Sequence, residues 1–363
     1  MKTLKLLILD DDEMNLNEYS EEINLFNLTN EEFKFEAFSC VNLSEGKNLL
    51  LSNSINYAII DLRLHNSISG ASESGNDLII EIQESFRIPT TVVSGFLNDF
   101  DSEIKKSFFI NCISRDKANI SEILNNFCVF EKCGLSDIFG TSGKLDNLIN
   151  SIFWNNIANI IDPNDKSTCI TSDNILRYIS NYIKEFLTYT TDGIDIDYHP
   201  IEFYFIPPIH NKILNGTILE YDGRTYVNLT PACDISNDKT KYFQLVSIDS
   251  FESCDEIKKC LETVSPDNKS KVEKNLKKIL TNNSSLKYHF LPPHRSFKGG
   301  LINFQTVISI NKKEIIESSQ IIGSISPDFI KDITARFGLY YSRQGQPNFS
   351  NLEYIYKNLY ENN

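Results

Sequence analysis

Short apolar runs alternate with segments of helical periodicity through the first third of the chain. The apolar runs cover residues 4–9, 35–39, 56–61, 89–94 and 108–113. Apolar residues recur every three to four positions at about 12–26, 76–86 and 119–127, which is the spacing of a helix with one buried face. Strands that alternate with helices are typical of a parallel sheet. The pattern therefore predicts an α/β domain over residues 1–127.

Polar groups stand where three of the predicted strands end. Asp10 and Asp11 follow the first run, Asp61 closes the third and Ser94 closes the fourth. Ligands of open parallel sheets bind at the carboxyl ends of the strands. Three carboxylates at one edge repel each other unless a hard cation neutralises them, and Mg²⁺ with oxygen ligands is the usual solution. These residues predict a Mg²⁺ site beside a carboxylate nucleophile.

The pattern changes after residue 127. Several glycines mark a linker at 128–143. A strong helical stripe begins at residue 144, and a second amphipathic segment covers about 172–188, so residues 144–190 are predicted to form a helical connector. Either these two helices pack as a hairpin on the C-terminal domain, or they form a surface for a homodimer or another partner.

From about residue 200 the alternation of apolar and polar residues has a period of two. The segments 217–221 and 225–229 flank Asp-Gly-Arg, which is a hairpin signal. A helical insertion follows at about 255–280, and more strands come after it. Residues 200–350 are therefore predicted to form an α+β module built on a small β-barrel or half-barrel, with a short terminal helix or tail at 351–363.

Composition narrows the classes of function. The formal charge of −14 and the pI near 4.9 argue against nucleic-acid binding as the main function, since neutralising a phosphate backbone needs a basic face. The eight cysteines have no paired metal-ligand spacing, which favours reduced thiols in the cytosol. No apolar run approaches the roughly 18 residues of a membrane span. A cytoplasmic protein without a membrane partner is expected.

Residues 1–127 resemble the receiver domain of bacterial response regulators, a flavodoxin-like doubly wound fold. In that family an acidic pair after the first strand binds Mg²⁺, and Asp10 and Asp11 match this pair. Asp61 matches the aspartate that accepts a phosphoryl group from a histidine kinase, and Ser94 matches the hydroxyl residue that responds to it. The resemblance implies that Asp10, Asp11 and Asp61 hold Mg²⁺. It also implies that a face of the fourth helix, fifth strand and fifth helix repositions the connector.

The resemblance to receivers is incomplete at three places. The lysine that ends the fifth strand in the family has two candidates here, Arg115 and Lys117. His65 stands where the family often has proline, and the loop at 66–75 is longer than usual. These departures concern phosphoryl transfer and leave the predicted fold unchanged.

A second candidate site is the pair Cys233 and Asp234, which follows a predicted strand. An adjacent carboxylate raises the pKa of a thiol, so a thiolate nucleophile would need a nearby base such as His289 or His294. A Cys/His metal site lacks the paired ligand spacing. The alternative is a buried cysteine with Asp234 in a turn.

A third candidate site is the predicted C-terminal helix. Arg336 and Arg343 are seven residues apart, which is two helical turns, so they lie on one face. With Tyr340 and Tyr341 beside them, such a face could bind phosphate or stack a base. In the alternative, arginine satisfies helix carbonyls and the tyrosines fill a core. The lysine-rich run at 269–278 is expected to be a solvated face.

Residues 200–350 resemble uncharacterised C-terminal modules of bacterial proteins, through short motifs at 230–234, 290–293 and 343–347. Such modules accompany atypical receivers beside ATPases of the histidine-kinase and Hsp90 type, in loci that resemble anti-phage systems. The resemblance implies a partner ATPase and defence signalling, and it names no catalytic residue.

The sequence as a whole predicts a regulator with a phosphorylated aspartate and a protein–protein output rather than a turnover enzyme. The alternative is that the C-terminal module is an effector enzyme or a nucleic-acid-binding unit. That module would use Cys233 or the face of Arg336 and Arg343, and the receiver would be a phosphorylation-independent docking scaffold.

Overall fold

A computed structural model of the chain describes residues 1–64, 74–140, 143–161, 170–188, 197–265, 268–343, 345, 347, 349 and 352–361. The chain folds into two compact units, Met1–Ile194 and Asp195–Asn363. Among the residues described, no helix is both long and apolar enough to cross a membrane. The domain limits expected inside these units remain predictions.

The first unit is built on a five-stranded parallel sheet. Its strands are β1 (Lys2–Leu9), β2 (Phe33–Cys40), β3 (Tyr57–Ile60), β4 (Thr90–Ser94) and β5 (Ile110–Ser114). They lie in the order β2-β1-β3-β4-β5, which is the order of the flavodoxin-like doubly wound fold. The predicted fold class is confirmed. The order reverses between β1 and β3, and such sheets bind their ligands at that point.

Helices cover both faces of this sheet. They are α1 (Glu13–Thr29), α2 (Leu43–Ser52), α3 (Gly75–Ser85) and α4 (Ile120–Lys132). One hydrophobic core joins α1 and α4 to the sheet, and a second joins α2 and α3 to it. The apolar periodicity did not predict α2. The residue that marks the start of α2 in the sequence is Asn42, an N-cap residue whose side chain accepts a hydrogen bond from the backbone N–H of Glu45.

The connection between β4 and β5 contains no α-helix within residues 95–109, all of which the structure describes. It has one turn of 3-10 helix at Leu97–Asp99. Ile104 is buried and Phe100 packs in the same core, so side chains from irregular backbone cover this part of the sheet. The output face expected from the resemblance therefore lacks its first helix, which is a correction to that expectation.

Beyond α4 the chain continues into three more helices, α5 (Leu135–Phe139), α6 (Lys144–Asn155) and α7 (Ser172–Thr188). The segment 128–143, predicted as a linker, thus contains the end of α4 and all of α5. Glu131 on α4 is buried and forms an ion pair with Lys2. It also accepts hydrogen bonds from the hydroxyls of Tyr57 (3.0 Å) and Ser136 (2.7 Å). These contacts fix the start of α5 to the amino ends of β1 and β3.

The second unit is built on a seven-stranded antiparallel sheet. Its strands are β6 (Tyr204–Phe205), β7 (Thr217–Tyr221), β8 (Arg224–Asn228), β9 (Tyr242–Asp249), β10 (Tyr288–Leu291), β11 (Gly300–Asn311) and β12 (Gln320–Ile325). Its helices are α8 (Ala232–Ser236), α9 (Asp255–Glu262), α10 (Lys269–Leu280), α11 (Lys312–Ser318), α12 (Pro327–Tyr341) and α13 (Glu353–Glu361). Helix α12 packs in one hydrophobic core of this unit and helix α11 packs in another. The two cores contain different residues of the sheet. The predicted α+β class is confirmed.

This second sheet is not closed by backbone pairing, whereas a small β-barrel or half-barrel was expected. The strand order is β10-β11-β9-β8-β7-β12-β6, and no described pairing joins β10 to β6. Near the two ends of the sheet, the Tyr204 hydroxyl donates a hydrogen bond to the carbonyl oxygen of Pro292 at 2.8 Å. Tyr204 also packs edge-on against Phe297. Side-chain contacts replace the backbone pairing that closes a barrel, so the closed barrel is corrected to a sheet that is open between β10 and β6, as in the half-barrel alternative.

Candidate functional site

The carboxyl ends of the parallel strands bring the predicted acidic residues together. Strand pairing aligns Leu9 with Ile60, so the residues that follow them, Asp10 and Asp61, are neighbours. Carboxyl oxygens of Asp10, Asp11 and Asp61 lie within 4.8 Å of one another. The side chain of Asp10 is 1% exposed and that of Asp61 is 13% exposed. The three predicted metal ligands therefore form one partly buried cluster.

Arg115 lies against this acidic cluster. Its Nη2 atom is 2.8 Å from Asp10 Oδ2 and 2.9 Å from Asp61 Oδ2, and it donates a weaker hydrogen bond of 3.3 Å to the carbonyl oxygen of Val93. Lys117, the other candidate, is exposed, and no described hydrogen bond or ion pair joins it to the cluster. Of the two basic residues, only Arg115 contacts the carboxylates.

Ser94 completes the cluster at the end of β4. It is fully buried, and its hydroxyl donates a hydrogen bond to the carboxylate of Asp61. Strand pairing aligns Ser94 with Ser114, the residue before Arg115, so the register of β4 and β5 brings both groups to one edge. Burial raises the pKa of Asp61 above its usual value, although the Ser94 hydrogen bond and the Arg115 charge oppose this rise.

Two residues of α1 also contact the site, and the sequence reasoning missed them. Asn15 donates from Nδ2 to both carboxyl oxygens of Asp10, at 3.0 and 3.2 Å. Tyr19 is buried beside Asp10 and Arg115, and burial raises the pKa of its phenol. Asn15 could have been found, because it lies in the first turn of a helix that begins directly after the acidic residues.

Gly75, at the start of α3, lies directly against the end of β3. A Cβ atom at this position would lie 1.9 Å from the carbonyl oxygen of Asp61, far inside van der Waals contact. The N–H of Gly75 donates to the carbonyl oxygen of Leu62 at 2.9 Å. Close approach of the helix to the strand therefore requires glycine here. His65 and most of the loop at 66–75 lie outside the described residues.

The chemistry of the cluster follows from its donors. Asp10, Asp11 and Asp61 offer only carboxylate oxygens, which is the donor set that Mg²⁺ prefers. The residues therefore fit the expected cation. Asp61 is the carboxylate that also contacts a hydroxyl and a guanidinium, so a nucleophilic oxygen and two hydrogen-bond donors lie side by side.

The structure does not bring the Cys233 candidates together. Cys233 is exposed on α8, with its Sγ atom 3.9 Å from Asp234 Oδ1. His289 is buried on β10, and two strands separate β10 from β8, the strand that precedes Cys233. Neighbouring strands are about 4.8 Å apart, which leaves His289 out of reach. Cys233 is exposed, so the alternative of a buried cysteine is wrong for this residue.

The two arginines of the third candidate have different surroundings. Arg336 donates to the carbonyl oxygens of Ser285 (3.3 Å) and Tyr288 (3.4 Å). Arg343 is exposed and lies beyond the end of α12 at Tyr341. Arg336 thus satisfies carbonyl groups, but these belong to β10 and the residues before it, whereas the alternative interpretation expected helix carbonyls. The lysine residues of α10 are all exposed.

Comparisons with known proteins give partial structural likenesses only. No protein-family model and no curated protein matches the chain. A Francisella response-regulator receiver domain aligns with 13% identity over 36% of this chain and 98% of its own, with a TM-score of 0.27.

A Burkholderia pseudomallei response regulator, with a phosphorylated aspartic acid and a calcium ion, aligns with 18% identity over 42% of this chain and 86% of its own, with a TM-score of 0.24. The N-terminal domain of a three-domain protein from Carboxydothermus hydrogenoformans aligns with 13% identity over 35% of this chain and 97% of its own, also with a TM-score of 0.24. Likenesses at this level describe partial similarity only, and the fold assignment rests on the strand order.

Proposed function

We propose that the first unit is a response-regulator receiver in which Asp61 accepts a phosphoryl group from the histidine of a partner kinase. The observation that supports this most is the cluster at the switch point between β1 and β3. There a partly buried Asp61 contacts a hydroxyl and a guanidinium and lies with two further carboxylates. The sheet thus presents a nucleophile, a cation site and two hydrogen-bond donors at one edge.

In the proposed reaction, a carboxylate oxygen of Asp61 attacks the phosphorus atom of phosphohistidine. The new O–P bond forms as the N–P bond breaks, and the histidine nitrogen keeps the electron pair of that bond and takes up a proton. Mg²⁺, held by Asp10, Asp11 and Asp61, would neutralise charge on the phosphoryl oxygens. Arg115 and Ser94 then donate hydrogen bonds to these oxygens in place of the carboxylates.

The structural effect of phosphorylation would be transmitted to the connector through α4. Arg115 opens a 3-10 turn that leads directly into this helix, so moving Arg115 from the carboxylates to a phosphoryl group pulls on the start of α4. At the other end of α4, Glu131 binds the Ser136 hydroxyl at the beginning of α5. Since residues 95–109 contain no α-helix, α4 is the helix that joins the site to α5 and α6.

A protein–protein output suits the surface of the connector. Its largely exposed apolar side chains include Phe153, Trp154, Leu176, Phe186 and Leu187. Apolar groups collected in one segment favour contact with another protein or with a second copy of the chain. A partner ATPase of the histidine-kinase or Hsp90 type and a role in anti-phage defence rest on the resemblance of residues 200–350 and stay predictions.

Phosphorylation of the full-length chain tests this function. The protein is incubated with acetyl phosphate and Mg²⁺, and its intact mass is measured. We expect one phosphoryl adduct in the wild type, none in Asp61→Asn and much less in Asp10→Asn. Asp12→Asn is the matched control, because Asp12 caps α1 and is not part of the three-carboxylate group. A folded wild type that gains no adduct under these conditions would refute the proposal.

One observation favours the alternative of a phosphorylation-independent scaffold. Arg115 already bridges Asp10 and Asp61, so a residue of the chain itself neutralises part of the cluster without a metal. A scaffold of this kind would take up no phosphoryl group, and Asp61→Asn would leave its partner binding unchanged. The same mass measurement, combined with a pull-down of the partner by both forms, separates the two functions.

A further inference from the structure

The second unit contains a groove of about 860 Å³ that the proposed function does not use. It lies between β12, α8 and the first half of α12, and the segment 208–214 borders it. We call it the β12–α12 groove. Its volume falls within the roughly 300–1,000 Å³ of small-molecule sites, so one small ligand would fill it.

The lining of the β12–α12 groove is mostly apolar. Ile325 and Thr217 are buried in it, whereas Ile209 is 66% exposed, and Leu214 and Phe205 are 39% and 37% exposed. Apolar side chains that stay in contact with water favour any occupant that removes them from it. The groove is therefore suited to an apolar chain or ring.

The charged residues of the groove all have one sign. Lys212 and Lys331 line it together with His210, and no aspartate or glutamate is among the lining residues. A lining without any acidic residue is unusual in a chain that contains 49 aspartates and glutamates. Two ammonium groups beside an apolar surface, with no carboxylate among the lining residues, attract an anionic head group.

We infer that the β12–α12 groove binds a small amphiphile, namely a single-chain fatty carboxylate. The hydrocarbon chain lies against β12 and α12, and the carboxylate lies at the lysines. The inference rests on the second unit alone and does not depend on phosphoryl transfer by the first.

Cys233 provides a direct readout, because this exposed thiol lines the groove. The full-length protein is alkylated with iodoacetamide, and the rate at Cys233 is followed by peptide mass with and without dodecanoate below its micelle concentration. Cys133, an exposed cysteine of the first unit, is the internal control. We expect saturable slowing by several-fold at Cys233 and no change at Cys133.

Two comparisons give the experiment its specificity. Dodecyltrimethylammonium has the same chain with a cationic head and should protect Cys233 much less. The double variant Lys212→Gln and Lys331→Gln should raise the dodecanoate concentration that gives half protection. Lys269→Gln should not, because Lys269 is an exposed residue of α10 that does not line the groove. Equal protection by the cation, equal slowing at Cys133, or no slowing at all would overturn the inference. Protection by an acidic helical peptide but not by dodecanoate would assign the groove to a protein partner instead.

Discussion

At the scale of single residues, the most informative group is the guanidinium of Arg115. Its Nη2 atom contacts Asp10 and Asp61 at 2.8 and 2.9 Å, so one cation bridges two of the three expected metal ligands. In the proposed receiver, Arg115 and a divalent cation would therefore compete for the same carboxylates.

This competition predicts that Arg115→Gln binds Mn²⁺ or Mg²⁺ more tightly than the wild type. Loss of the internal cation leaves three carboxylates with less neutralisation, and we expect the affinity to rise about tenfold, or about 1.4 kcal/mol. Isothermal titration calorimetry measures it. Lys117→Gln is the control and should be unchanged, because Lys117 is exposed and does not contact the cluster. An unchanged or weaker affinity in Arg115→Gln would show that no competition exists.

We expect a second residue, His289, to contribute to the acid sensitivity of the second unit. Burial, followed by the nearby charge of Arg336, lowers its pKa from the usual 6.5 to about 3. The carboxylate of Asp332 is 3.7 Å from His289 Nδ1, but it is largely exposed, so solvent screens its opposing effect. His289 thus stays neutral in the folded protein across the physiological range.

Because the unfolded chain binds a proton at this histidine below pH 6.5 and the folded chain does not, the second unit should lose stability as pH falls from 6.5 towards 3. One such proton changes the free energy of unfolding by up to about 1.4 kcal/mol per pH unit. Thermal unfolding between pH 7 and pH 5 should show this loss in the wild type and a smaller loss in His289→Gln. Parallel pH profiles of the two proteins would contradict the assignment.

At the scale of elements, the contact between α3 and the end of β3 holds Asp61 in position. Gly75 packs its backbone on the carbonyl group of Asp61, and a methyl group there would overlap with it at 1.9 Å. Gly95, just after β4, has no atom within 4 Å of the corresponding position. The two glycines thus form a matched pair at the same edge of the sheet.

We expect Gly75→Ala to destabilise the first unit by about 3 kcal/mol, because the strand end or the helix has to move. Gly95→Ala should change the free energy of unfolding by less than about 0.5 kcal/mol. Denaturant unfolding measures both, and divalent-cation affinity should fall only in Gly75→Ala. Similar stabilities for the two variants would show that α3 does not press on Asp61.

At the scale of the whole molecule, the charge is divided unequally between the two units. Residues 1–194 contain 15 lysines and arginines against 29 aspartates and glutamates, whereas residues 195–363 contain 20 of each kind. The entire formal charge of −14 therefore belongs to the first unit. Repulsion among like charges destabilises a compact state, so only the first unit should carry this cost.

Calorimetry of the full chain should show two unfolding transitions, since each unit has its own core. Salt shortens the range of charge repulsion from about 10 Å at 0.1 M to about 3 Å at 1 M. Raising NaCl over this range should raise the midpoint of the first-unit transition by about 2–4 °C, which corresponds to roughly 1 kcal/mol, and leave the other midpoint nearly constant. Gly75→Ala identifies which transition belongs to the first unit. Equal salt shifts in both would refute the charge argument.

The sequence by itself determined the parallel sheet and the edge at which Asp10, Asp11, Asp61 and Ser94 meet. It could do so because apolar runs define strands, and because neighbouring parallel strands end at the same edge.

Only the tertiary structure decided between Arg115 and Lys117, because both follow β5 within one turn and periodicity cannot tell which of them faces the carboxylates. It also decided the missing helix before β5, the close contact at Gly75 and the open second sheet. These depend on distances between segments far apart in the chain, which local patterns of apolar and polar residues do not encode.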